Sequence, residues 1–370
     1  MNNRFVRIVS FIMAISLIML TFASCKNGPD YEPDGSTTTE PTTEESTTEA
    51  LPKNINPLTG KADLSDSAIG ARPIALMVEN SPSARPQWGM STPDVIIEGL
   101  VEGGITRMMW VYADAEDIPE KVGPTRSARH DFVEIAAGLN AIYIHWGGSG
   151  RTNNTLAYGA IKKYDIDNID GMTYSGTYFF RDTTRNVSSE HRGYTKGSSI
   201  QKAITKLGYE TKAKDNNWMP YKVLLDGQRM PYGDASGSCS SITFTYSSSY
   251  NRTFKYDAEN KTYDCYMNST LCKDGSTGEK VSVENLIIML CDVKSLGDAK
   301  GHQEWNMEVS QGDAKYVSQG YGEAITWKKD GKTGALKFYG KDGQELTVNQ
   351  GQTFIAVVPE KNRSLTTVIE

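Results

Sequence analysis

Apolar residues are spaced in four different ways along the chain. Residues 8–20 form a nearly unbroken apolar run behind Arg4 and Arg7. Residues 26–50 contain almost nothing apolar and show no period. From about residue 51 to 215, apolar runs of strand length alternate with stretches at helical spacing. From 216 to 370 the period falls to two. This pattern predicts an α/β (α+β) N-terminal domain built on a mixed sheet, followed by a mostly antiparallel β domain, a sandwich or a barrel.

In the first domain, residues 72–79 (RPIALMVE), 94–101 (DVIIEGLV), 105–113 (ITRMMWVYA) and 141–146 (AIYIHW) read as strands. Glu102-Gly103-Gly104 reads as the turn between the second and third. Residues 127–139 place Phe132, Ile135, Ala136 and Leu139 on one helical face, with Thr125 or Ser127 able to cap the start. Further helices are expected over 153–164 and 198–207, the last ending at Gly208. A strand ending near Ala113, a helix from Ser127 and a strand at Ala141 predict one parallel crossover unit. In such sheets ligands lie beyond the carboxyl ends of the strands.

In the second domain, Ile242, Phe244 and Tyr246 alternate with polar residues. Strands are expected within 261–267, 285–293, 323–329, 335–340 and 353–359, with Lys-Asp-Gly turns between several of them. Trp305, Trp327 and Tyr339 are expected in the core, with a sugar-stacking platform as the alternative. A two-residue turn at Asn268-Ser269 would set Cys265 opposite Cys272, leaving Cys239 to pair with Cys291 as a second disulfide candidate. Free, buried thiols are the alternative.

The amino-terminal run is too short for a membrane span. It ends in Phe22-Ala23-Ser24-Cys25, which resembles a bacterial lipobox and implies cleavage before Cys25 and lipidation there. The Ser/Thr/Glu/Pro-rich stretch 26–50 then reads as a disordered tether. These features predict an extracytoplasmic chain, lipid-anchored to the bacterial membrane at the cell surface.

The chain carries 39 basic and 45 acidic residues. Once leader and tether are set aside the body is close to neutral, so nucleic acid is excluded as a partner. Arginine is concentrated early: nine Arg and six Lys lie in 51–200, against three Arg and eighteen Lys in 201–370. Arginine grips planar anions bidentately, so the first domain is where a site is expected.

Two loops should open on one sheet edge: the one carrying Arg126, Ser127 and Arg129, and the one carrying His145, Gly147, Gly148 and Ser149. A third loop gathers Arg181, Asp182, Arg185, Glu190, His191 and Arg192. Any acid–base chemistry would fall to Glu102, His145 and His191. The arginines of the first loop can instead pair with Asp131, Glu134 or Glu102. No metal-ligand spacing and no cofactor fingerprint occurs, so neither is expected.

The segments RPIALMVENSPSARPQWGM, VEGGITRMMWVY, GPTRSARHDF and YIHWGGS, in this order, resemble the YerB-like lipoprotein family, a domain of unknown function followed by a dedicated C-terminal domain. The resemblance implies an envelope location and a two-domain build, and supplies no mechanism. It points to Asn80, Arg85, Gln87, Glu102, Arg107, Arg126, Arg129, His145 and His191. Where the family pattern carries Pro-His-Asn, this chain has Glu190-His191-Arg192, so the resemblance assigns no role to the flanks of His191.

The leading expectation is a binding module for an anionic cell-envelope component or envelope protein. Its ligand groups would be Asn80, Arg85, Gln87, Arg107, Arg126, Ser127, Arg129, Gly147, Gly148, Ser149 and Arg181. An envelope-polymer hydrolase or transferase, and a protein scaffold without a small ligand, are the alternatives. Whether the chain is an enzyme stays open at this point.

Overall fold

The protein is described by a computed structural model over residues 52–231, 237–308 and 311–370. The expected leader, the lipidation at Cys25 and the tether lie outside the described residues. Residues 51–370 form one compact unit.

Three strands open the fold: β1 (Ile74–Glu79), β2 (Val95–Leu100) and β3 (Thr106–Tyr112). They are followed by α1 (His130–Gly138), β4 (Ile142–His145), α2 (Leu156–Lys163) and β5 (Asn168–Asp170). A single turn α3 (Gly171–Tyr174) leads to the small ladder of β6 (Phe179–Arg181) with β7 (Gly193–Thr195), then α4 (Gly197–Leu207). The helix expected from Ser127 starts three residues later. Neither Thr125 nor Ser127 caps it, because both lie in the extended segment that precedes it.

The expected crossover unit is corrected by the pairing. β1 is antiparallel to β3 and parallel to β4, so β3 and β4 run in opposite directions. Tyr112, at the end of β3, sits opposite Ile74 at the start of β1. The chain then doubles back along β1, where Thr125 bridges Val78 and the Arg126 amide donates to Met77 O at 2.9 Å. The loop before α1 therefore reaches the carboxyl edge of β1 and β4, by a return path and not by leaving β3.

The sheet continues past the boundary expected near residue 215. Its strand order runs from Leu336–Tyr339 through Tyr321–Lys329, Gly312–Ser318, Asn285–Ser295 and Thr353–Pro359 to β2, β3, β1, β4 and β5. Thr353–Pro359 lies between β2 and Asn285–Ser295, parallel to both. Every residue in it is buried, which is why its apolar run shows no alternation.

A second, antiparallel sheet holds Ser241–Ser247, Tyr250–Asp257, Thr262–Met267 and Thr367–Ile369. It packs on the first through Phe254, whose ring lies 5.0 Å from that of Phe354. The described residues show a mixed sheet in the N-terminal region and a mostly antiparallel C-terminal region, with no closed barrel. No disulfide is formed among the expected candidates: Cys239, Cys265, Cys272 and Cys291 are free thiols.

Glu98 of β2 and Arg252 of Tyr250–Asp257 form a fully buried ion pair, Nε to Oε2, at 2.7 Å. Glu98 also accepts from Asn80 Nδ2 at 2.6 Å, from Thr106 Oγ1 and from the Tyr246 hydroxyl at 3.2 Å. Removing one partner of a buried pair leaves an uncompensated charge. Arg252→Met is expected to cost about 3–5 kcal/mol on that principle. Glu98→Gln combined with Arg252→Met is expected to cost less, because a neutral amide keeps the Asn80 and Thr106 contacts. Urea unfolding of the two variants checks the order.

Candidate functional site

The site is assembled from segments that meet beyond the carboxyl ends of β1, β4 and β5. The Trp146 amide donates to Arg126 O at 3.0 Å and the Ala128 amide to Gly147 O at 2.8 Å, so the two expected loops are laced together. Gly147 takes φ +77°, and a Cβ on it would press against Met172 at 3.3 Å. Its amide donates to Asp170 Oδ1 at 2.7 Å, and Asp170 Oδ2 accepts from the Tyr158 hydroxyl at 2.5 Å. Asp170, at the end of β5, thus fixes the loop from behind. The third loop closes the ring, with the Thr125 amide donating to Gly193 O at 2.6 Å.

Between these loops lies an open cleft of about 310 Å³. Arg126, Arg151 and Arg181 line it, with Ser127, Trp146, Gly147, Gly148 and Met172, and Glu190 is the one carboxylate on its wall. Arg126 is held in two directions. Its Nε lies 3.5 Å from Glu79 Oε1, and its Nη2 donates to Glu190 Oε2 at 3.1 Å. Arg181 sits over the Trp146 ring at 4.5 Å and donates to Ser189 O. Burial, and then the charges of Arg192 and Arg126, depress its pKa. The positive charge is therefore only partly compensated within the cleft.

Several expected ligand groups lie elsewhere, each for a stated reason. Arg129 is bound through Nε to Glu102 Oε2 at 2.7 Å and through Nη2 to the other carboxylate oxygen. Arg107 donates to Ser127 O at 2.9 Å and stands 3.5 Å from Glu102. Asn80 is buried against Glu98, and Arg85 and Gln87 both bond to Asn80 Oδ1, at 3.2 and 3.0 Å. Ser149 is buried and accepts from the Ala157 amide at the start of α2. These side chains serve the frame, leaving Arg126, Ser127, Gly147, Gly148 and Arg181 of the expected set on the cleft wall.

The three acid–base candidates have separate partners. His145 is fully buried, with Nδ1 2.7 Å from Gly147 O and Nε2 3.1 Å from Asn168 Oδ1. Burial alone would raise the Glu102 carboxyl, but the Arg129 hydrogen bond and the charges of Arg107 and Arg129 bring it down to about 2. His191 packs Nδ1 on Glu79 Oε1 at 2.9 Å.

Sequence reasoning missed Arg151 and Glu79. Arg151 directly follows the glycine loop and Glu79 ends β1, so the placement of each at a strand edge was the available signal.

The fold is an α/β segment whose mixed sheet is completed by strands of a β-rich segment, with an arginine-lined cleft on the α/β side. Residues 58–210 match the N-terminal domain of the protein of unknown function DUF3048, and residues 242–355 match its C-terminal domain. The chain belongs to this family. It is 29% identical over 311 residues to the Bacillus subtilis (strain 168) protein named "Putative lipoprotein YerB", covering 82% of this chain and 86% of that one. The crystal structure of the YerB protein from Bacillus subtilis matches with a TM-score of 0.71 at 27% identity, over 85% of this chain and 99% of that one.

A carboxyl held below its ordinary value stabilises the fold above that ordinary value and loses the contribution as the pH falls through the depressed one. The Glu102 contribution is therefore complete above about pH 4.5 and fades towards about 2. Glu102→Gln is expected to lower the melting temperature at neutral pH, with the gap from the parent protein narrowing across that window. Thermal melts at a series of pH values test it.

Proposed function

We propose that the chain is a bacterial lipoprotein, held outside the cytoplasmic membrane by lipid on Cys25, that binds an anionic component of the cell envelope in the Arg126–Arg151–Arg181 cleft. The name of the Bacillus subtilis relative supports the anchor. Among the described residues no helix is long and apolar enough to cross a membrane, and lipid on Cys25 would anchor the chain without one.

The observation that carries the binding reading is the charge of the cleft: three guanidiniums face one wall carboxylate in a space of about 310 Å³. Guanidinium forks bond phosphate and carboxylate oxygens in pairs. The cleft volume suits a single anionic group with its attached residue, such as a teichoic phosphate or a stem-peptide carboxylate. An anionic side chain presented by an envelope protein would meet the same donors. Binding is favoured over catalysis because the Glu102 carboxylate is bonded to Arg129 and His145 has both ring nitrogens bonded within the frame.

Arg126→Ala combined with Arg181→Ala is expected to weaken binding to purified cell wall by roughly tenfold or more, each lost charge-assisted bond being worth about 1.5–3 kcal/mol. Co-sedimentation and calorimetry measure it, and unchanged binding overturns the reading. Cys25→Ser is expected to move the protein out of the membrane fraction, as read by fractionation and immunoblot.

A further inference from the structure

The strands Thr262–Met267 and Thr270–Leu271 are joined by Asn268 and Ser269, both left-handed at φ 48° and 64°. The ladder pairs Tyr266 with Leu271 and Met267 with Thr270. One step further from the turn, the Cys272 amide donates to Cys265 O at 2.8 Å. The two thiols are thus neighbours across the ladder.

Arg252, on the neighbouring strand, reaches both sulfurs with one nitrogen. Its Nη1 lies 3.3 Å from Cys265 Sγ and 3.0 Å from Cys272 Sγ, while its Nε stays on Glu98. A guanidinium bonded to sulfur favours the thiolate, which is the nucleophile in disulfide exchange. Cys265 is buried and Cys272 only partly so, so Cys272 is the more accessible of the two. The neighbouring Cys265 thiol, and then the Arg252 charge, hold the Cys272 thiol below its ordinary value against the opposing effect of burial. Burial instead pushes Cys239 up to about 11 and Cys291 up to about 12.

We propose that Cys265 and Cys272 form a thiol–disulfide exchange site, with Cys272 as the attacking thiol and Cys265 as the resolving one. The oxidant is a disulfide, either a small molecule or the active-site disulfide of an exported oxidoreductase. The Cys272 thiolate attacks one donor sulfur, the donor S–S bond breaks, and one donor thiolate leaves. Cys265 gives up its proton and attacks Cys272 Sγ, and the second donor thiolate leaves. The protein loses two electrons and two protons, and the donor takes both and departs as two thiols. Oxidation removes the anionic sulfur acceptor from Arg252 and leaves its bond to Glu98 in place. The site does not depend on the anion-binding reading.

The test uses the full chain, reduced and then exposed to glutathione disulfide at neutral pH, with acid quenching, alkylation and peptide mass spectrometry. The expected product is a Cys265–Cys272 disulfide, with Cys239 and Cys291 alkylated only after unfolding. In Cys265→Ser the serine hydroxyl preserves a donor, and a glutathione adduct should accumulate on Cys272 at least ~10-fold faster than on Cys239 or Cys291, a pKa difference of one unit already being tenfold in thiolate. Cys272→Ser should stop disulfide formation and leave Cys265 unmodified. The rate of Cys272 alkylation against pH in Cys265→Ser should rise with a midpoint below the ordinary thiol value. Free Cys265 and Cys272 after oxidation, or adducts that favour Cys239 or Cys291, would overturn the proposal.

Discussion

The buried Glu98–Arg252 pair is the constraint on which the rest of the structure depends. It joins a strand of the segment 58–210 to a strand of the segment 242–355, and both charges are removed from water. Such a pair is tolerable only when the remaining lone pairs and protons are satisfied. Asn80, Thr106 and Tyr246 do this for Glu98, and the two cysteine sulfurs and Met108 do it for Arg252. Asn80 in turn orders Arg85 and Gln87, and Gln87 O accepts the Gly275 amide from the other segment. The polar motif after β1 is therefore a seam between the two segments.

The cleft depends on that frame at one remove. Two of its arginines are held in place, Arg126 by Glu79 and Glu190, and Arg181 by Ser189 O and the Trp146 face. Ordering these long side chains in advance lowers the entropy an arriving anion must remove. Arg129 shows the opposite outcome. Its fork is already filled by Glu102, so the same residue type three positions from Arg126 contributes to the frame alone.

What was legible in the sequence follows from how local each signal is. The strands expected in both halves, the hairpin at Gly103-Gly104 and the turn at Asn268-Ser269 are set by neighbours a few residues apart, and they stand where expected, while Tyr250–Asp257 and Gly312–Ser318 went unread. The shared edge of the Arg126 and Gly147 loops was also readable, although the route to it was not. The partners of the polar residues were not readable: Glu102 with Arg129, His191 with Glu79 and Glu98 with Arg252 depend on pairing between elements far apart in the chain. The run 353–359 carried an overlooked signal. Seven residues without a polar alternation describe a strand buried on both faces, and that is the strand lying against β2.

That strand has a consequence for how the molecule is made. One edge of β2 pairs at once with β3, Val95 opposite Val111, but its other edge pairs with Thr353–Pro359, so that edge keeps its amides and carbonyls unpaired while nearly all of the chain behind it is synthesised. Sheet closure across such a separation is slow, because the connecting loop must be ordered before any contact repays it. The polypeptide thus finishes assembling late, once its carboxyl-terminal strands have arrived. On the proposed lipoprotein reading this timing suits passage through a channel that takes unfolded chains, since the central sheet cannot close early and block it.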